Sequence, residues 1–517
     1  MGDFWVTHSL ISLFLSLFVR KKHNKSGSTS VQVIDKVNGK SKLIKTIGSS
    51  KDPIMIEVLH KKGLHFIQNF SGQQQIDFSD EKQSHKSAFE KIKSHTQIGV
   101  QLLLNPIFEE IGFHAIDDKV FKSLVFARLS YPVSKLKTSD YINRYKNVEI
   151  PVQQIYRYMD KLYDTQKELV QQISFKHTQK ILNGDISVVF YDVTTLYFEI
   201  DNEDELRKTG FSKEGKHQNP QIVLGLLVSK DGYPLAYDIF EGNKFEGHTM
   251  LPVIDSFKAK YKLQQLVIVA DSGLLSSRNI EELQNKKYEF ILGARIKNEK
   301  GFIKEKIISL KLKNGESKII EKDGLRLIVS YSDTRAKKDR HNREKGLKRL
   351  EKQIRTGKLT KSSINSRGYN KYLKLDGELQ VSIDKTKFEA DAKWDGLKGY
   401  ITNAKLGKEE ILENYGHLWK IEKAFRIAKT DLKIRPIYHR LQRRIEAHIC
   451  IAFVAYKIYK ELERQLKEKK STLSPEKAIE IAKSIYKITS LTQNNEYVEH
   501  VLLLTQEQKN LAKLFGF

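Results

Sequence analysis

The 517-residue sequence predicts a mixed α/β fold, on two observations. From Gly184 onward, strand-length apolar runs come as three strands able to pair antiparallel, then helix, strand, helix, strand. Neighbouring parallel strands need helical crossovers of that kind. Before Gly184 the apolar spacing is mainly helical, with one hairpin signal near the start. Hydrophobic residues at 39% and aromatics at 10% suffice for real cores, so wholesale disorder is excluded. On a prior of ~150 residues per domain, the length allows roughly three or four.

Residues 1–18 read as an extension, an upstream start or unused segment. Ile11 to Val19 is apolar but too short for a bilayer, which takes about 20 apolar residues. Arg20, Lys21 and Lys22 follow that run, whereas a signal peptide has its charges first. No membrane role is expected, and the chain reads as cytoplasmic. Residues 19–50 read as a β-hairpin, with STSVQVI and SKLIKTI on either side of Asn38-Gly39. Residues 51–175 read as mainly helical, marked by VQLLLNPIFEEIGF and IYRYMDKLY, with a polar stretch at 70–94 taken as loop.

Residues 180–298 carry the first part of the sheet. Ser187 to Val193, Gln221 to Val228 and Pro234 to Phe240 are strands, the last two joined by Lys230-Asp231-Gly232. A helix starts near His248. Gln265 to Ala270 and Tyr288 to Ala294 are further strands, with a helix over Ser276 to Lys286 between them. Residues 299–403 read as a β-rich insertion, with IISLKLK, GLRLIVSYS and ELQVSI as strands. Between these runs, Arg335 to Lys371 carries 14 Lys/Arg against 3 Asp/Glu. Helix returns at 407–433, stops before Pro436 and resumes at 438–464. The segment IEAHICIAFVAYKIY is apolar around much of its circumference, as a buried helix is. Residues 404–465 thus complete the core, and helices at 476–485 and 505–515 make 466–517 a helical C-terminal part.

Lys and Arg total 90 against 63 Asp and Glu, a net charge of +27. Such an excess points to a polyanionic partner, nucleic acid or an anionic surface. The single cysteine, Cys450, excludes a disulfide scaffold and sits in an apolar run as a small hydrophobe. No glycine pattern forms a Walker or dinucleotide loop, so no nucleotide cofactor is expected.

Three acids could carry chemistry. Asp192 ends an apolar strand and precedes Thr194 and Thr195; the bland alternative is a turn cap. Asp271 closes LVIVA in the same way before Ser272 and Gly273. Strand-end acids on neighbouring parallel strands come within reach of a shared divalent ion. Glu422 lies seven residues from both Tyr415 and Lys429, placing the three on one helical face; its bland reading is an ion-pair ladder. Oxygen ligands on separate elements of a basic chain suit Mg²⁺, as phosphoryl transfer needs.

These motifs resemble those of bacterial insertion-sequence transposases with an RNase-H-like core and a DDE triad. The nearest likeness is to the group with a Y-x2-R-x3-E-x6-K signature and a β-rich insertion before the third acid. Tyr415, Glu422 and Lys429 match that signature, Asp192 matches in YDVTTLYFE and Asp271 in VADSG. GFSKEGKHQNPQIVLGLL, EGNKFEGHT, SDTRAKKDRHNR, WDGLKGYITN and KIRPIYHR are similar too, so the likeness spans about residues 20–465. Leu418 stands where the signature has Arg; either Arg426 or Lys423 supplies that charge, or the subgroup lacks it.

The resemblance implies catalysis by Asp192, Asp271 and Glu422 as ligands of two Mg²⁺ ions, with Mn²⁺ as a substitute. It implies Tyr415 and Lys429 as supporting contacts to DNA phosphate and a homodimer on double-stranded DNA, namely terminal inverted repeats and target. Water attacks the element's end, and the freed 3′-hydroxyl attacks target DNA. Arg335, Lys337, Lys338, Arg340 and Arg343 are expected to meet phosphate, with Arg426 and Arg435 as further DNA-binding candidates. Position and charge assign end recognition to the N-terminal hairpin and helices. His248, near a helix start, is a weaker candidate. His439 and His448, with one cysteine in the chain, are expected to form no zinc site. Trp394, Asp395 and Gly396 read as a turn with a packed aromatic. A metal-dependent nuclease without strand transfer and a catalytically dead DNA-binding derivative are the rival readings.

Overall fold

The computed structural model describes residues 17–37, 39–68, 91–212, 215–365, 368–376, 380–492 and 496–517. The chain divides into two units, Met1–Lys91 and Ile92–Phe517. In the first, β1 (Leu17–His23), β2 (Thr29–Val37) and β3 (Lys40–Ser50) form an antiparallel sheet in that order. Strand β1 begins inside the segment read as an extension, whose first sixteen residues, like Asn38 of the hairpin turn, lie outside the described residues. Helix α1 (Pro53–Gln68) lies against all three strands, over buried Val31, Val33 and Ile34.

The second unit opens with β4 (Ile92–Gln97) and five helices: α2 (Gly99–Ile111), α3 (Lys119–Ser130), α4 (Lys135–Lys146), α5 (Val152–Lys161) and α6 (Lys167–Ile181). Asp118 caps α3 by accepting the Val120 and Phe121 amides, and Ser134 caps α4 through the Lys137 amide. The sheet strands β5 (Val188–Tyr197), β6 (Gln221–Ser229) and β7 (Pro234–Glu241) follow. Next come α7 (Met250–Tyr261), β8 (Val267–Ala270), α8 (Ser277–Asn285) and β9 (Glu289–Ala294).

Beyond β9 lie α9 (Gly301–Ser309), β10 (Ser317–Lys322), β11 (Leu325–Tyr331), α10 (Asp333–Arg355), β12 (Leu373–Asp376), β13 (Gln380–Ile383), α11 (Lys385–Ala392) and β14 (Leu397–Thr402). The chain closes with α12 (Lys408–Gly416), α13 (Trp419–Thr430), α14 (Gln442–Glu468), α15 (Pro475–Lys483), β15 (Tyr486–Leu491), β16 (Tyr497–Leu502) and α16 (Gln506–Phe515).

The main sheet runs β10-β11-β14-β9-β8-β5-β6-β7. Strands β5, β6 and β7 pair antiparallel, while β8 and β9 pair parallel to β5 and to each other. This is the mixed α/β sheet expected from the order of runs, and it is consistent with the RNase-H-like core that the resemblance implies. Alternation along β5 splits the interior into two layers. Phe190 and Leu196 join the layer under α12 to α14, and Val189, Tyr191 and Val193 join the one under α7 and α8. Helix α14 is buried over most of its length, as its composition predicts. Among the described residues, no helix is long and apolar enough to cross a membrane.

Three expectations need correction. The insertion is less β-rich than expected: its strands β10, β11 and β14 extend the main sheet from β9, but much of it is helical. IISLKLK lies across the end of α9, and Asp333–Arg355 is a 23-residue helix. Ser332 caps that helix, and straight-chain Lys, Arg, Glu and Gln favour it. Only a narrow stripe of Ala336, Arg343, Gly346 and Leu350 is buried, so helical periodicity is weak in the sequence. The predicted helix at 407–433 is two helices, α12 and α13, joined by a tight turn at His417 and Leu418. The C-terminal part is not purely helical, because β15 pairs with both β16 and β4.

Candidate active site

The site is built where β5, β8 and β9 end against α12 and α13. Tyr191 pairs with Ala270 across the parallel strands β5 and β8. Asp192 and Asp271, one residue further along each, therefore stand side by side, at about the 4.8 Å strand spacing. Asp192 is half-buried, between neighbours that face the opposite layer, and its Oδ1 accepts the Val193 amide at 2.8 Å. Asp271 is exposed at the start of a turn, and its Oδ1 accepts the Gly273 amide. A Cβ on Gly273 would meet that oxygen at 2.8 Å, so the turn favours glycine. Arg295 holds the same turn, donating Nε to the Ser272 carbonyl at 3.0 Å.

Glu422 is exposed in the first turn of α13. Ile421, Ala424 and Phe425 bury the other side of this helix in the layer that also holds Phe190 of β5. The helix packs on β5 and β6, so Glu422 rides on the element covering the Asp192 side of the sheet. Tyr415, at the end of α12, is buried, and its hydroxyl sits over Gly293 of β9, where a Cβ would lie 2.5 Å from it. Burial, then the negative charge of Asp271 and, more weakly, of Glu422, pushes the Tyr415 hydroxyl upward and keeps it protonated.

A residue missed in the sequence completes this cluster. Lys398 of β14 places its Nζ 4.4 Å from the centre of the Tyr415 ring and 5.5 Å from that of Tyr400. Burial and then Arg335 lower its pKa, while Glu422 and Asp271 oppose the shift. Lys398, Arg335, Tyr415, Asp271 and Glu422 thus share one electrostatic neighbourhood. The only sequence signal was WDGLKGYITN, where Lys398 alternates with core positions. Leu418 is buried in the apolar layer, a position where a guanidinium would be desolvated. Lys423 is committed to Glu463 at 2.5 Å.

The other predicted contacts divide. Arg335, Lys337, Lys338 and Arg340 are exposed on the first turns of α10. Arg343 is not: it turns into the buried stripe, pairs with Asp395 at 2.5 Å and stacks on Phe388. That pairing ties α10 to the Trp394–Gly396 turn and corrects Arg343 as a phosphate contact. Arg426 is exposed, Lys429 half-buried, and Arg435 lies 5.7 Å from the Tyr197 ring of β5. His248 is exposed beside Phe245. Cys450 is buried, and burial pushes its thiol up to about 12, so it is inert.

The three acids surround the strand ends without drawing their ligand oxygens within 4.8 Å of one another. Among the described residues, the one group that does so is Glu110, His177 and Glu461. That group is a poor cation site. Glu461 accepts from Arg464, Gln465 and Tyr233, and Lys457 lies buried beside it. The positive charge a metal would bring is already there.

The family model for the transposase DDE domain matches residues 183–458, more than half of the chain and the whole span from β5 to the middle of α14. No curated protein sequence matches. Among solved structures, similarity is found to piggyBac transposase in a synaptic complex with hairpin DNA, at 9% identity over 74% of this chain and 76% of that one, with a TM-score of 0.37. The Mos1 transposase paired-end complex with the left transposon end is similar at 13% identity over 46% and 75%, with a TM-score of 0.16. At those scores neither likeness bears on the assignment. The matched domain carries it: the chain belongs to the transposase DDE domain family.

Proposed function

We propose that this protein is a DNA transposase that cleaves the ends of an insertion sequence and joins the freed 3′-hydroxyl strand to target DNA. The carrying observation is that Asp192 and Asp271 stand side by side at adjacent strand ends, with Glu422 on the helix covering them, all within the matched domain. The donor set fits Mg²⁺: three carboxylates, two of them exposed, are hard oxygen ligands. Asp192, Asp271 and Glu422 would hold the ions. Bound Mg²⁺ supplies charge neutralisation at the phosphate and activation of the attacking oxygen.

The chain's own residues position the DNA. In the first step a water oxygen bonds to phosphorus and the 3′-oxygen leaves with a proton. In the second, the oxygen of that 3′-hydroxyl bonds to a target phosphorus, giving up its proton, and a target 3′-oxygen leaves with a proton. Lys398 and Arg335 oppose the negative charge on the phosphate. Tyr415, held protonated, donates its hydroxyl hydrogen to a phosphate oxygen. Arg426 and Lys429, one and two turns beyond Glu422, follow the strand away from the cut. Arg335, Lys337, Lys338 and Arg340 contact the backbone without reading sequence. A homodimer on paired double-stranded ends, acting in the cytoplasm, belongs to the same reading.

The test is incubation with Mg²⁺ and labelled DNA carrying the flanking ends of the gene. Joined products support a transposase. Cleavage with no joining would replace this reading by a nuclease.

A further inference from the structure

Away from the strand ends, the second unit holds a cavity of about 510 Å³ with an unusual lining. Arg128 of α3, Lys135 of α4, His439 just before α14 and His448 in its first turns all face it. Their relative exposures are 4%, 4%, 9% and 5%. Burying bases together is costly unless opposite charge is present. Here Arg128 gives Nη1 to the carbonyls of Leu432 and Lys433 at 3.3 and 3.2 Å, and its Nε has no partner among the described residues. His448 binds the Ile434 carbonyl through Nε2 at 2.9 Å, and its Nδ1 has no partner among the described residues. The rings of His439 and His448 lie 5.4 Å apart.

No carboxylate answers this cluster among the described residues. Asp160, the acid paired in this region, is taken by Arg443 and Arg444 at 3.1 and 2.9 Å. Burial, then Arg128, pushes the Lys135 ammonium well down, and the same bases act on His448 after burial. The first turn of α4, capped by Ser134, opens into the same cavity and adds the positive end of a twelve-residue helix. Lys433 and Arg435, which also line the cavity, belong to KIRPIYHR, the stretch in which the sequence marks Arg435 as a DNA-binding candidate. A cation would be repelled here. An anion with several acceptor oxygens would accept from Arg128 Nε, and its charge would favour the protonated ring of His448, whose Nδ1 then donates as well.

We propose that this cavity is a phosphate-binding site, separate from the acids and built from Arg128, Lys135, His439, His448 and the N-terminus of α4. Its ligand is a phosphate group, carried either by a DNA backbone that leaves the strand ends along residues 433–439 or by free phosphate. The site does not depend on the assignment of the acids, so its test reads binding and not strand joining.

The experiment compares the full chain with Lys135→Met and Lys135→Gln, each carrying Asp192→Asn. One arm follows melting temperature against inorganic phosphate, with chloride at equal ionic strength as control. The other measures affinity for a duplex of the gene's flanking end across a salt series. Phosphate is expected to raise the melting temperature of the parent but not of the Lys135 variants. Lys135→Met should melt no lower than the parent without phosphate, because it removes a buried charge, and this separates lost binding from lost folding. If the phosphate is DNA's, both variants also lose roughly tenfold in duplex affinity, and the salt slope falls by about one. A phosphate response with unchanged duplex affinity identifies free phosphate. Equal responses of parent and both variants in both arms would overturn the proposal.

Discussion

Replacing Gly293 by alanine tests how tightly the site is built. In the interior of a strand, alanine normally stabilises by about 0.5–1 kcal/mol over glycine. At Gly293 the added Cβ would lie 2.5 Å from the Tyr415 hydroxyl oxygen and 2.9 Å from the Ser272 amide nitrogen. Both are closer than real Cβ contacts, so α12 and the Asp271 turn must give way. Overpacking of this kind costs about 1–3 kcal/mol, reversing the usual sign. Displacing Tyr415 or the Asp271 turn by ~1 Å would also lower strand joining by roughly a hundredfold. Tyr415→Phe removes the oxygen but leaves the backbone contact. In that background Gly293→Ala should therefore cost about 1 kcal/mol less, a coupling measurable by denaturant unfolding of the four proteins of the cycle. Stabilisation by Gly293→Ala, or additive effects of the two changes, would refute the placement of Tyr415 over β9.

Lys398→Met should weaken binding of the DNA end by roughly tenfold or more, as a lost charge-assisted contact does, and lower the salt slope by about one. Melting temperature should not fall, since the ammonium is partly desolvated. Filter binding across a salt series, beside thermal melts, checks both. Arg343→Met leaves Asp395 buried without its partner and should destabilise by about 3–5 kcal/mol in urea unfolding, whereas exposed Lys337→Met should change stability by less than about 0.5 kcal/mol. Burial and then Lys457 depress the His177 pKa from 6.5 to about 4. Between those values the unfolded chain binds a proton that the folded one does not, so stability falls as pH drops from about 7 to 4. His177 contributes about 3 kcal/mol at most; His177→Gln should flatten that part of the stability–pH curve in phosphate-free buffer.

The order of the core strands and both strand-end aspartates were legible because buried strands write continuous apolar runs, against which Asp192 and Asp271 stand out. The helix carrying Glu422 was legible from its spacing, but its break at His417 was not. All residues there stay helical, and only the hydrogen-bond register tightens. The insertion was harder. Its long helix α10 buries one narrow stripe that includes an arginine, so charge looked like solvent exposure throughout. Arg343 was misread for that reason. Lys398 sits on a strand, far in sequence from the acids, and only pairing of β14 with β9 brings it to them. The basic cavity was hidden in the same way. Arg128, Lys135, His439 and His448 come from separate elements, and the two histidines alone suggest only a rejected metal site.

The central claim is that Asp192, Asp271 and Glu422 act together on DNA phosphate. Strand joining with Mg²⁺ on labelled end-bearing DNA, by the parent and by Asp192→Asn, Asp271→Asn and Glu422→Gln, tests it most directly. The account predicts joined products from the parent, their loss in all three variants, and end binding retained in each. An active parent matched by any of the three variants would contradict it.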